Sequence, residues 1–295
     1  MKSHIISLLI LLLPLSLQAQ WDSLGNSKYA SLILKDIPTA EQIEVDAEGN
    51  IFLLDTDGAK LYKYFASHQY DSVRSIGGVS TREEGFLHPV KLALKNRQDF
   101  YVLDDLGRKI ILLDKELKLV ESFDLFAQFS ERNSAFPDEF EPLSFDMSPA
   151  GETYLLNNFN HKIYKINSFG RLESEFGGLD YGPGSLYEPV DLQVGAQNRI
   201  YVADVENQEI KVFDMFGVFL QSLDLIPDFD WQHFHIHQSL LLLWNKERIF
   251  WIHLISGKSL TYSLANSLQL KDLFISRDFI YLLLENEVHL YPIKE

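Results

Sequence analysis

Residues 188–217 read "EPVDLQVGAQNRIYVADVENQEIKVFDMFG", and their reading decides the fold. A proline opens an extended segment, in which Val190, Leu192 and Val194 alternate with polar residues. Such period-two alternation places one set of side chains on each face of a β-strand. A short turn follows, then the aromatic-aliphatic run Ile200–Asp204, a tight turn at Val205–Gln208 and a third strand beginning at Glu209. Strand segments this short, parted by turns, predict an antiparallel meander rather than a βαβ unit.

The same grammar recurs upstream. Residues 38–76 ("PTAEQIEVDAEGNIFLLDTDGAKLYKYFASHQYDSVRSI"), 89–123 and 142–176 align under residues 189–223. The turn after each second strand recurs as Asp55-x-x-Gly58-x-x-Leu61, Asp104-x-x-Gly107-x-x-Ile110, Asn157-x-x-Asn160-x-x-Ile163 and Asp204-x-x-Asn207-x-x-Ile210. An Asp or Asn side chain accepts N–H bonds in a turn, and Gly or Asn three residues on is expected to supply a positive φ. Residues 231–265 and 270–295 keep the strands but lose the glycine turns. The units repeat about every forty to fifty residues, the size of a four-stranded propeller blade. The last unit stops at "EVHLYPI", and "SKYASLILKDI" (27–37) resembles the missing fourth strand. The expectation is an all-β, six-bladed β-propeller of four-stranded blades. Its ring is closed by the N-terminal strand pairing into the last blade, which removes two sheet edges.

With the repeat laid out, "GGVSTREEGFLHPV", "GGLDYGPGSLYEPV" and "IYVAD" (200–204) resemble NHL-repeat propellers, closely in four blades and weakly in two. The resemblance implies the fold and leaves function open, because propellers host scaffolds, sensors, hydrolases and lyases. Gluconolactonase-like hydrolases hold one divalent cation with Glu and Asn/Asp in the channel. Here Glu141 or Glu188 with Asp191 could supply oxygens, but no matching Asn opens the other inner strands. Peptidyl-hydroxyglycine lyases need several channel histidines plus cysteines, and this chain has no cysteine.

Composition narrows the setting. Residues 1–19 carry Lys2, the apolar run Ile5–Leu17 and a small Ala19, the layout of a secretory signal peptide, leaving 20–295 as one propeller domain. The leader's "LQAQ" resembles exported proteins of Bacteroidota. No later run reaches the ~20 apolar residues of a membrane span. Without cysteine there is no lipoprotein anchor, disulfide or thiolate site. A net charge of −16 argues against nucleic acid or anionic lipid as partner. The expected location is the periplasm or the outer-membrane or extracellular side.

Chemistry is expected where the inner strands begin, because those positions converge at one channel mouth. His88, Glu141 and Glu188 precede the prolines, and Lys91, Ser144 and Asp191 follow them. Gln42, His233 and Asp272 are their counterparts in other units. The candidate ligand residues are His88, Glu141, Glu188, Asp191, His233 and Asp272, with Glu141, Glu188 and Asp191 able to offer oxygens to a calcium or zinc ion. Water filling the channel explains polar residues there equally well. The histidines of "HFHIH" (233–237) share one strand face, which is either a pair of zinc ligands or a set hydrogen-bonded to neighbouring blades. In "FAQFSERNSAFPDEFEP" (126–142), Phe129, Phe136 and Phe140 either contact a partner or cover the core. No Gly-x-Ser-x-Gly, phosphate loop or His-Glu-x-x-His is present. The leading expectation is a non-enzymatic envelope propeller that binds another envelope or secreted protein, or a ligand. The alternatives are a metal-dependent lactone or ester hydrolase at the channel mouth and a small-molecule sensor.

Overall fold

The computed structural model describes residues 30–292 except 96–97, 126–139, 180–181, 224–228, 265–267 and 277. The signal-peptide segment, Phe129 and Phe136 lie outside the described residues. Strand β1 (Leu32–Lys35) comes first. The first blade is β2 (Gln42–Val45), β3 (Ile51–Asp55), β4 (Lys60–Tyr64) and β5 (Val73–Gly77), and the second is β6 (Pro89–Lys95), β7 (Asp99–Asp104), β8 (Lys109–Leu113) and β9 (Leu119–Asp124). The third is β10 (Pro142–Met147), β11 (Thr153–Asn157), β12 (Lys162–Ile166) and β13 (Leu172–Gly177). The fourth is β14 (Pro189–Val194), β15 (Ile200–Asp204), β16 (Glu209–Phe213) and β17 (Phe219–Leu223), and the fifth is β18 (His233–His237), β19 (Leu240–Trp244), β20 (Arg248–His253) and β21 (Ser259–Ser263). The sixth holds β22 (Leu270–Ile275), β23 (Phe279–Leu284) and β24 (Glu287–Pro292), with β1 as its outer strand.

Each blade is an antiparallel meander, ordered from the axis outward. The ring closes as expected: Leu32 faces Leu290 and Lys35 faces Glu287, with the Ser31 N–H donating to the Leu290 carbonyl at 2.8 Å. Both faces of a blade meet a neighbour, which is why strands such as β3 and β15 are buried at every residue. The apolar core is accordingly divided into clusters between successive blades. Phe52, Phe86 and Phe100 join the first and second blades, and Tyr154, Leu186 and Phe213 join the third and fourth.

The repeated turns work differently from the sequence expectation. Positive φ falls one residue later than expected, at Ala59, Arg108, His161 and Gln208. Gly58 and Gly107 are required for space: a Cβ there would stand 2.3 and 2.4 Å from the Asp55 and Asp104 carboxyls. Those carboxyls accept the Gly58 and Gly107 N–H groups at 2.6 and 2.9 Å. Where Asn replaces Gly the bond moves to side chains, Asn157 Nδ2 to Asn160 Oδ1 at 2.9 Å and Asn207 Nδ2 to Asp204 Oδ2 at 3.3 Å.

The same position fixes the start of its own blade's inner strand. Asp104 accepts the N–H groups of Leu87 and His88 at 2.8 and 2.9 Å, and Asp204 those of Tyr187 and Glu188, both at 3.0 Å. Asn157 accepts from the Glu141 N–H at 2.6 Å. The carbonyls of His88, Glu141 and Glu188 accept from Asp105, Asn158 and Val205. The residue before each proline is thus held through its backbone, which prescribes no one side chain there.

Candidate functional site

The alternation of the inner strands sends one set of side chains into the blade interfaces and the other toward the axis. Leu92, Phe145, Leu192, Phe234 and Leu273 are buried among the blades. Their neighbours form two rings on a central cavity of about 1670 Å³. The outer ring is Gln42, Lys91, Ser144, Asp191, His233 and Asp272, the positions read from the sequence after the inner-strand starts. Two residues deeper lie Glu44, Ala93, Asp146, Gln193, His235 and Phe274. The sequence reading stopped at the first ring, although the same period-two rule, carried on by two residues, yields the second.

The inner strands of adjacent blades do not form one sheet, so their edge groups need other partners. Channel side chains supply them. Gln42 donates to the Val90 carbonyl and accepts from the Leu92 N–H at 2.5 and 2.7 Å. Gln193 donates to the Phe234 carbonyl at 2.9 Å and accepts from the Ile236 N–H at 3.0 Å. Asp146 accepts from the Val194 N–H at 2.7 Å, and Asp272 from those of Ile43 and Leu273 at 2.9 and 2.8 Å. These residues belong to the architecture first.

The channel charges are matched in place. Lys91 Nζ lies 2.6 Å from Asp191 Oδ1, which also accepts from the Ser144 hydroxyl, and Lys95 pairs with Asp146. Burial opposes the Lys91 charge, but the charge and hydrogen bond of Asp191 outweigh it and hold the ammonium above its usual pKa. Within the two rings, the side chains of Glu44, His233 and His235 make no hydrogen bond to a described residue. Burial, reinforced by the Asp272 charge, raises Glu44 to about 8, and burial raises Asp272 to about 7. Burial, and then the neighbouring His237, lowers His235 to about 4, and burial also lowers His233. Water reaches these side chains, since Glu44 and His235 are half-buried and His233 is exposed within the channel. Their burial is removal from bulk solvent by the surrounding ring.

The histidine face of β18 lines the cavity. Phe234 and Ile236 take the interfaces, while His233 stacks on Trp244 at 5.5 Å between centroids and His235 lies 6.4 Å from His237 and 6.5 Å from Phe274. His88 and Glu141 do not line the cavity. His88 Nδ1 bonds Asp105 at 2.8 Å and Glu141 accepts from Asn158 Nδ2 at 3.3 Å, so both side chains are engaged by the turn of their own blade. Glu188 is exposed at the rim of the cavity. Glu141, Glu188 and Asp191 thus do not gather, and among the described residues no three His, Asp or Glu side chains are grouped to hold a metal ion. Phe140 is 2% exposed and packs near Tyr164, so it covers the core and is not a surface contact.

The NHL-repeat family model matches residues 186–213, from the approach to the fourth blade through its third strand. A search of curated proteins finds no match. Among solved structures, virginiamycin B lyase from Staphylococcus aureus is similar at 12% identity over 87% of this chain and 82% of its own, with a TM-score of 0.59. A gluconolactonase from Xanthomonas campestris is similar at 12% identity over 88% and 89%, with a TM-score of 0.63. The extracellular domain of a B. thetaiotaomicron hybrid two-component system is similar at 12% identity over 86% of this chain and 31% of its own, with a TM-score of 0.51. Identities this low establish the shared propeller and nothing of the chemistry. No helix among the described residues is long and apolar enough to cross a membrane.

Proposed function

We propose that this chain is a non-enzymatic, exported propeller that binds a small ligand in its central channel. The observation that carries the reading is the division of labour among channel groups. The four charged partners Lys91, Asp191, Lys95 and Asp146 satisfy one another, while Glu44, His233 and His235 face a large cavity without a hydrogen bond to a described residue. A concave site with a few convergent polar groups and perturbed titrations is the usual form of a ligand pocket. Export is supported by the leader-like residues 1–19.

A thermal-shift panel of sugars, amino acids, organic acids, nucleosides and lipids tests the reading, run on wild type and Glu44→Leu beside a lactone and ester hydrolysis assay. At a hundredfold excess over Kd a ligand adds about 2.7 kcal/mol to stability. The expected result is a rise in Tm with at least one compound, lost in Glu44→Leu, and no turnover. Hydrolysis abolished by Glu188→Gln, or shifts that Glu44→Leu leaves intact, would overturn it.

A further inference from the structure

Resting on that reading, we infer that the channel takes an uncharged, hydroxyl-rich molecule of saccharide type, held by Glu44 and His235 in the deeper ring and His233 at the mouth. Charge comes first. Within the inner strands the lysines are matched by carboxylates, Lys91 by Asp191 at 2.6 Å, Lys95 by Asp146 and Lys271 by Glu41 at 2.9 Å. A carboxylate or ammonium ligand would have to break such a pair or leave its own charge uncompensated in a site withdrawn from bulk water, which is costly.

The open groups point the same way. A protonated carboxyl and a neutral imidazole each both donate and accept hydrogen bonds, and so does a hydroxyl. The same surroundings keep Glu44 protonated and His235 neutral around neutral pH. Three groups that donate and accept match a polyol better than an acid, which mainly accepts, or an amine, which only donates. Phe274 stands beside His235, giving the apolar C–H faces of a sugar ring a surface next to the hydrogen-bonding groups. The cavity volume exceeds that of a monosaccharide, so a short oligosaccharide is the better fit.

Isothermal titration with three trisaccharides of closely related skeleton tests this: the neutral glucose trimer, the glucosamine trimer and the glucuronate trimer. They are run against wild type, Glu44→Leu, Glu44→Gln and His235→Phe, with circular dichroism and melting confirming that each variant folds. The expected result is binding of the neutral trimer at least tenfold tighter than either charged one. Binding should weaken tenfold or more in Glu44→Leu and His235→Phe, and stay within about threefold of wild type in Glu44→Gln, whose amide retains donor and acceptor. Preference for a charged trimer that is still lost in Glu44→Leu overturns the ligand class and leaves the channel reading standing. Binding unchanged in both Glu44→Leu and His235→Phe overturns both. If no trimer binds while the broader panel yields compounds sensitive to Glu44→Leu, the saccharide class alone is overturned.

Discussion

The second to fourth blades and the fifth and sixth reach the same architecture by different local devices. In the former, a buried acid or amide anchors the entry to each blade: Asp104, Asn157 and Asp204 are all fully buried and all accept N–H groups from the start of their own inner strand. In the fifth blade the equivalent position is Trp244, whose indole donates to the Lys271 carbonyl at 3.3 Å. The approach to that blade is held from its neighbour, with Gln208 bonding both the N–H and the carbonyl of Trp231. The sixth blade has Leu284 at this place, and the Leu270 N–H turns instead to the Lys246 carbonyl at 2.8 Å. A blade thus needs its inner strand anchored, and either a buried carboxylate or aromatic packing with backbone bonds will do it. The carboxylate leaves a legible motif, whereas the aromatic device does not.

This contrast breaks most readily at Asp104. Asp104→Ala strands three N–H groups, those of Leu87, His88 and Gly107, and should cost about 4 kcal/mol in urea unfolding. Trp244→Phe, which removes one long hydrogen bond, should cost about 1 kcal/mol. Equal losses would mean that the two devices are not alternatives. Leu34→Pro, in the strand that closes the ring, should cost about 3 kcal/mol and expose the β24 edge to self-association, read by light scattering at the melt.

A finer division separates two adjacent glycines. A Cβ at Gly77, where φ is +100°, would stand 2.5 Å from the Phe86 ring and 2.6 Å from the Ala59 carbonyl, whereas Gly78 at φ +113° has nothing within 4 Å. Gly77→Ala should therefore cost about 3 kcal/mol and Gly78→Ala about 1 kcal/mol from backbone strain alone.

The smallest effect is on pH dependence. Glu44 and Asp272 have folded pKa values raised to about 8 and 7, so the native state binds the extra protons and stability falls as pH rises toward 8. His235, lowered to about 4, acts oppositely: its contribution is present above its unfolded pKa and is lost as pH falls below about 6.5. Glu44→Gln should flatten the loss between pH 6.5 and 8 by about 1–2 kcal/mol, discounted for channel water. An unaltered slope would remove Glu44 as its source.

The fold was largely legible because blade turns are local: the Asp or Asn, the Gly or Asn three residues on and the leading proline each act within a few residues. The pair Gly77-Gly78 with Phe86, and Gly177-Gly178 with Leu186, are likewise local, joined by the Phe86 N–H to the Gly78 carbonyl at 3.3 Å and the Leu186 N–H to the Gly178 carbonyl at 2.8 Å. The outer channel ring was legible for the same reason, since the prolines mark where inner strands begin. The pairing of Lys91 with Asp191 was not, because it joins residues a hundred positions apart across the ring. His88 and Glu141 stay outside the cavity because Asp105 and Asn158, in the turns of their own blades, engage their side chains, while Glu188 at the same position reaches the rim. The position of Glu44 follows from Gln42 by the period-two rule, but nothing in "EQIEVD" reveals that its carboxyl lacks a partner, which depends on residues of other blades.

The claim that joins these observations is that the channel presents uncharged polar groups to a ligand. Nitrogen-15 NMR of labelled histidines, with His235 assigned by the His235→Phe spectrum, tests it directly. The account predicts that His235 stays neutral until pH approaches about 4 and that its signal moves when the neutral glucose trimer is added. Titration near the ordinary value of about 6.5, with a signal indifferent to the trimer, would contradict it.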